Sequence, residues 1–187
     1  MFILIYTGGC NQGCPFCKFN SSVSEPIKNE FIPELYKDKK VLLSYSTEPL
    51  PFEESEWTAY VIDELHKQNA SILFLSRRPE RIVKILPHFN KTDLIGCSVS
   101  ENLSTQNIFT VLDFLKQARE KNLKTWVSLE PVLTENFAKS MIDLLKTEAD
   151  FIRVGKLDSE KDNVKEWDKI RNTLTNKYKT EKGIIIK

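Results

Sequence analysis

The sequence predicts an α/β fold: an open, partial (β/α)6 parallel barrel. Three observations carry that prediction. Six short runs rich in β-branched and aromatic residues are bounded by turn residues. Amphipathic segments of helical period lie between most of them. Strands that alternate with helices build a parallel sheet, and a closed eight-unit barrel usually needs about 250 residues, so a chain of 187 residues has room for six units and stays open. No repeat, low-complexity stretch or linker interrupts the chain, which reads as one domain spanning 1–187.

The expected strands are Phe2–Tyr6, Val41–Tyr45, Ser71–Leu75, Leu94–Val99, Thr125–Leu129 and Phe151–Val154, with Ile184–Ile186 as a candidate last strand. The expected helices follow from three- and four-residue spacing of apolar side chains. Glu53–Lys67 carries Trp57, Tyr60, Val61 and Leu65, and Pro79–Leu86 is shorter. Asn107–Lys121 carries Ile108, Val111, Leu112 and Leu115; Thr134–Lys146 carries Phe137, Met141, Ile142 and Leu145. Ser159–Tyr178 places Val164, Trp167, Ile170 and Leu174 on one stripe. Lys18–Asp38 is polar and holds Pro26 and Pro33, so it offers at most a short helix near Glu30–Tyr36. Trp57, Trp126 and Trp167 sit in periodic segments and read as core.

Apolar residues make up 41% and charged residues 28% of the chain, an ordinary balance for a globular protein with a sizeable core. The net charge of +1 neither demands nor excludes a polyanionic partner. No apolar run approaches membrane-spanning length, and the apolar N-terminal stretch lacks the basic leader and small-residue cleavage site of a secretory signal. Cysteines crowded near the N-terminus as free thiols point to a reducing cytoplasm.

The chemistry concentrates in Cys10-Asn11-Gln12-Gly13-Cys14-Pro15-Phe16-Cys17, directly after the first apolar run. Gly8, Gly9, Gly13 and Pro15 let this loop fold tightly and bring three sulfurs to one point. Gathered thiolates hold soft metal centres. A closed cubane iron–sulfur cluster takes four cysteines, so three leave one iron open. Structural zinc with a fourth ligand from elsewhere is the alternative, and the other candidates are Cys97, His66 and His88, none in a paired metal-binding spacing.

This octapeptide resembles the cluster loop of the radical S-adenosylmethionine enzymes, in which an aromatic residue, here Phe16, also precedes the last cysteine. The resemblance implies a [4Fe-4S] cluster on Cys10, Cys14 and Cys17, S-adenosylmethionine as the second cofactor, and an electron donor such as a flavodoxin or ferredoxin. It implies reductive cleavage of that cofactor and abstraction of a hydrogen atom from a substrate. The family's core is also a partial parallel barrel with the cluster loop after its first strand.

Parallel barrels place chemistry at the carboxyl ends of their strands. Period-two alternation puts Ser44 with Ser46, Ser98 with Ser100, and Ser128 with Glu130 on common faces. Outward residues meet helices, so these polar ones line the interior mouth, while Cys97, of opposite parity to Ser98 and Ser100, faces the helices. By resemblance, Ser46, Thr47 and Glu48 occupy the place of the family's glycine-glycine-glutamate stretch, although the glycines are absent. Ser98, Ser100 and Glu130 match positions that touch ribose or carboxylate, and Gly155 lets backbone approach adenine. Arg77 or Arg78 can pair the cofactor carboxylate, although Arg78-Pro79 also reads as the opening of a helix. Lys156, next to Gly155, is either a surface group or reaches the mouth to meet an anionic group. Leu75-Ser76-Arg77-Arg78-Pro79-Glu80-Arg81, Gly96-Cys97-Ser98-Val99-Ser100-Glu101-Asn102 and Val127-Ser128-Leu129-Glu130-Pro131-Val132-Leu133 resemble the spore photoproduct lyase-related and phage-borne branch. That branch implies a nucleobase or nucleic-acid substrate. A glycyl-radical-enzyme activase, a 7-deazaguanine-type synthase and a non-enzymatic iron–sulfur sensor are the alternatives.

Overall fold

A computed structural model of the chain describes residues 1–7, 26–43, 47–53, 55–101, 107–156 and 164–187. In chain order its elements are β1 (Phe2–Ile3), β2 (Tyr6–Thr7), β3 (Ile27–Lys28), β4 (Lys40–Leu43), α1 (Glu56–Lys67), β5 (Ser71–Ser76), α2 (Pro79–Ile85), β6 (Leu94–Val99), α3 (Ile108–Glu120), β7 (Lys124–Leu129), α4 (Glu135–Leu145), β8 (Phe151–Val154), α5 (Val164–Tyr178) and β9 (Ile184–Ile186). Seven strands form one sheet in the order β1-β4-β5-β6-β7-β8-β9, and every pair in it is parallel.

That order never reverses. Parallel crossovers are right-handed, so successive steps in one direction put the connecting helices on one side of the sheet, as in a barrel. A doubly wound sheet reverses direction and carries helices on both faces. The seventh strand is the Ile184–Ile186 run, and the sheet remains unclosed.

Alternation then sorts the side chains. Val41, Leu43, Ile72, Phe74, Ile95, Cys97, Val127, Ile152 and Val154 are fully or almost fully buried, and strand register places them on one common face. This is the helix side, where Val61, Ile62 and Leu65 of α1, Phe114 and Leu115 of α3, and Ile142 and Leu145 of α4 complete the core. Cys97 lies there, as its parity predicts.

Helix starts are fixed by side-chain caps that satisfy otherwise orphaned amides. Asn107 accepts from Phe109 N at 2.9 Å to open α3. Thr134 accepts from Phe137 N at 3.3 Å to open α4. The Glu101 carboxylate, just past β6, accepts from Leu133 N, Thr134 N and Thr134 Oγ1 at 2.6–2.9 Å. At the opposite end of the sheet the fully buried Asp93 accepts from Ile72 N (2.8 Å) and Asn90 N (2.9 Å) and contacts His66 Nε2 at 2.9 Å.

Two expectations need correction. Phe2–Tyr6 is not one strand: only Phe2–Ile3 joins the parallel sheet, while Tyr6–Thr7 turns away to pair antiparallel with Ile27–Lys28. The short helix allowed near Glu30–Tyr36 is present as a 3-10 turn at Pro33–Tyr36. Trp126 belongs to the inner face of the sheet, away from the helices, because it shares parity with Ser128 and not with the buried Val127.

Candidate functional site

The inner face is layered. One row, read across the register, is Leu75, Gly96, Trp126 and Phe151. The next row toward the carboxyl ends is Ser98, Ser128, Arg153 and Ile185, with Arg77 level with Ser98 one residue past the end of β5. The last row is Ser100, Glu130 and Gly155. The ladder continues that far: Glu130 N donates to Val99 O at 2.9 Å and Gly155 N to Leu129 O at 3.0 Å. Apolar rows therefore give way to polar ones as the strands approach the end where parallel barrels do their chemistry.

The sheet brings Ser98, Ser100, Glu130 and Gly155 together, with Arg77 joined to them through Ser100. Arg77 Nη1 donates to Ser100 Oγ at 3.0 Å, bridging β5 and β6. Both Ser98 and Ser100 are buried. Arg153 Nη1 lies 3.3 Å from Glu130 Oε2, and Ser128 Oγ donates toward the same oxygen at 3.5 Å. Gly155 supports this carboxylate from beside it: a methyl group there would sit 3.2 Å from Glu130 Cδ and Oε2, tight enough to push the side chain. Arg153 is the residue that sequence reading missed. Its parity with Gly155 was the available signal.

Glu48 has a different part. It is buried, and its carboxylate accepts from Ser76 Oγ, from Leu50 N at 3.1 Å and from Arg77 N at 2.9 Å. Burial pushes its pKa up from the ordinary value, and the hydrogen bonds from Ser76, Arg77 and Leu50 pull against that rise. The carboxylate is thus turned into the protein, tying the segment that follows β4 to the end of β5. Thr47 Oγ1 donates to Tyr6 O at 3.2 Å and ties the same segment to β2. Lys156 is half-buried, directly after Gly155. Cys10, Cys14, Phe16, Cys17 and Ser46 lie outside the described residues, as does Ser44. Among the described residues no group of three or more histidine, cysteine or acidic side chains is arranged to hold a metal ion, and none of the helices is long and apolar enough to cross a membrane.

A shallow hollow of about 360 Å³ lies at the amino ends of β7 and β8, away from these rows. Its polar groups are engaged in structure: Asp150 accepts from Thr125 N at 2.7 Å, and Arg119 donates to the carbonyls of Thr147 and Glu148 at 2.7 and 2.9 Å.

The fold resembles that of Streptococcus suis SuiB. The whole chain aligns with the SuiB crystal structure at a TM-score of 0.68 and 11% identity, and with SuiB bound to S-adenosylmethionine at a TM-score of 0.67 and 13% identity. It spans 48% and 49% of those chains, about half their length. No protein-family model matches the chain, and no curated protein does.

Proposed function

We propose that the chain is a radical S-adenosylmethionine enzyme that cleaves this cofactor reductively and abstracts a hydrogen atom from a substrate. The observation that carries the reading is the C-x3-C-x2-C loop, Cys10, Cys14 and Cys17, falling in sequence shortly after β1, the first strand of a parallel, unclosed sheet. SuiB, of like fold, binds S-adenosylmethionine. The donor set fits the cluster: three thiolates hold a [4Fe-4S] unit and leave its fourth iron for a cofactor. When bound, cluster and cofactor together supply an adenosyl radical, the reactive species for hydrogen-atom abstraction.

The protein's residues bind and orient. Glu130, held by Arg153 and flanked by Gly155, offers a fixed acceptor to ribose hydroxyls or an amino group. Ser98 and Ser100 add short hydrogen-bonding groups in the neighbouring strand, and Arg77 sets Ser100 while carrying charge suited to a carboxylate. Glu48 acts as a positioning residue through the backbone it fixes. An external one-electron donor, of flavodoxin or ferredoxin kind, supplies the electron.

Anaerobic reconstitution should load about four irons per chain, and reduction in the presence of S-adenosylmethionine should release methionine and 5′-deoxyadenosine. Cys14→Ala should lose both while keeping its circular dichroism spectrum. Glu130→Ala should keep the iron and weaken cofactor binding by about 1.5–3 kcal/mol, one charge-assisted hydrogen bond. Zinc uptake in place of iron, with no cofactor cleavage, would sink the reading.

A further inference from the structure

We propose that Asn29 and Trp57 are positioning residues for the cysteine loop, holding the base that the loop leaves and returns to. The inference deepens the proposed function by naming what keeps its cluster ligands in place, and it rests on that reading.

Tyr6–Thr7 and Ile27–Lys28 pair antiparallel, with Tyr6 opposite Lys28 and Thr7 opposite Ile27. Cys10, Cys14 and Cys17 all fall in sequence between Thr7 and Ile27. The ribbon therefore closes the base of the stretch that carries them. It is too short to stand alone, since an isolated two-stranded ribbon is at best marginally stable in water. Ile27 and Lys28 are both exposed, so burial of that strand adds little. The ribbon must be held from elsewhere.

Side chains hold it. Leu4 and Ile5 have left the parallel pairing of β1, and their carbonyls need other donors. Asn29, directly after the second strand of the ribbon, supplies two: Nδ2 donates to Leu4 O at 2.7 Å and the backbone N to Ile5 O at 3.1 Å. Trp57, in the first turn of α1, donates from Nε1 to the same Ile5 O at 3.1 Å. Thr47 Oγ1 completes the set at Tyr6 O. Three consecutive carbonyls leading toward the loop are thus fixed by donors from three separate segments. The Trp57 ring is itself held, stacked on Tyr60 with centroids 5.4 Å apart and lying 5.7 Å from Lys28 Nζ. Asn29 and Trp57 therefore each join the chain before the loop, at Leu4 or Ile5, to the chain after it, at Lys28 or Asn29. Core packing does not account for them, because both are only half-buried and what each gives is a donor aimed at this segment. Three thiolates meet at one centre only while both ends of their loop keep still, and residues that orient metal ligands govern how firmly a metal is kept.

The test compares full-length Asn29→Ala and Trp57→Phe with Asp93→Ala, a control for lost stability at the opposite end of the sheet. Trp57→Phe keeps an aromatic ring for Tyr60 and Lys28 and deletes the N–H donor. Each protein is reconstituted with iron anaerobically and exposed to a chelator well below its melting temperature. Asn29→Ala and Trp57→Phe should release iron about tenfold faster than wild type, the scale for losing a residue that orients metal ligands. The midpoint potential of the cluster should move with them, because it reports hydrogen bonding and solvent access at the sulfurs. Asp93→Ala should melt lower and yet keep wild-type release and potential. Arsenite reads the loop without iron, since a soft ion takes gathered thiolates, and both variants should bind it at least about threefold more weakly. Release and potential that match wild type in both variants, or release that only tracks melting temperature across all three, would overturn the inference. Loss of the folded spectrum in both would do the same by making the pair part of the core, and where one alone unfolds the other decides. Wild type that takes no iron but binds arsenite, more weakly in the variants, removes the enzymatic reading and keeps the hold. Wild type that loads iron and cleaves S-adenosylmethionine while the variants match it removes the hold alone, and wild type that takes neither iron nor arsenite removes both.

Discussion

Glu48 and Cys97 show how burial sets the behaviour of single residues at this site. Burial raises the Glu48 pKa above its ordinary 4.5, so the folded protein favours the protonated acid. The sign follows from linkage: the stabilising contribution is fully present below the ordinary value and is lost as pH rises through the raised one. Glu48→Gln has no such titration. The melting-temperature gap between wild type and Glu48→Gln should therefore widen in favour of wild type as pH falls from 8 toward 5, and a constant gap would show that Glu48 titrates normally. Glu48→Ala leaves the amides of Leu50 and Arg77 without their acceptor and should cost about 1–3 kcal/mol by denaturant melts. Cys97, pushed up to about 12 by burial under the helices, is held as an unreactive thiol. It should resist thiol reagents in the native protein and react only on unfolding, and that late-reacting thiol should vanish in Cys97→Ala. Reaction without unfolding would put Cys97 on the accessible face.

At the scale of elements, the sheet's two ends are held by buried carboxylates that replace missing backbone partners. Asp93 at the amino end accepts from Ile72 N and Asn90 N, joining the start of β5 to the turn before β6. Asp93→Ala should destabilise the fold by about 2–4 kcal/mol, because it strands more than one polar group in the interior; a loss under about 0.5 kcal/mol would mean the turn recruits water. These elements differ in how clearly the sequence announces them. Ser71–Ser76, Leu94–Val99 and Lys124–Leu129 show plainly because each is a short apolar-rich run bounded by turn residues, with one face fully buried. The break after Ile3 does not, since Ile5 and Tyr6 are as buried as a strand would be (each 1% exposed), and their true partner, Ile27–Lys28, is an exposed pair in a polar segment. No local apolar period reports such a pairing. The site follows the same division. Parity foretold the company of Ser98, Ser100 and Glu130, and applied evenly it also put Trp126 and Arg153 on that face. An apolar aromatic among strand residues simply resembles core, and the crossing of the Trp126 indole over Gly96 to reach Phe74 O exists only once three strands are in register.

For the whole molecule, a strand order that never reverses puts all core packing on one side and leaves the other free to grade from apolar to polar. Burial on the helix side supplies the stability, so the inner rows can be chosen for what they bind. Net charge belongs to this scale too. At +1 overall, the chain has no long-range field to draw in a polyanion. The inner-face arginines are locally engaged, Arg77 with Ser100 and Arg153 with Glu130, so they offer few phosphate contacts. Capture of a small cofactor at the polar rows should therefore depend little on ionic strength. Affinity for S-adenosylmethionine, measured on the reconstituted protein at about 50 and 200 mM salt, should change by less than about threefold, and a fall of about tenfold or more would mean that charge across a wider surface governs its capture.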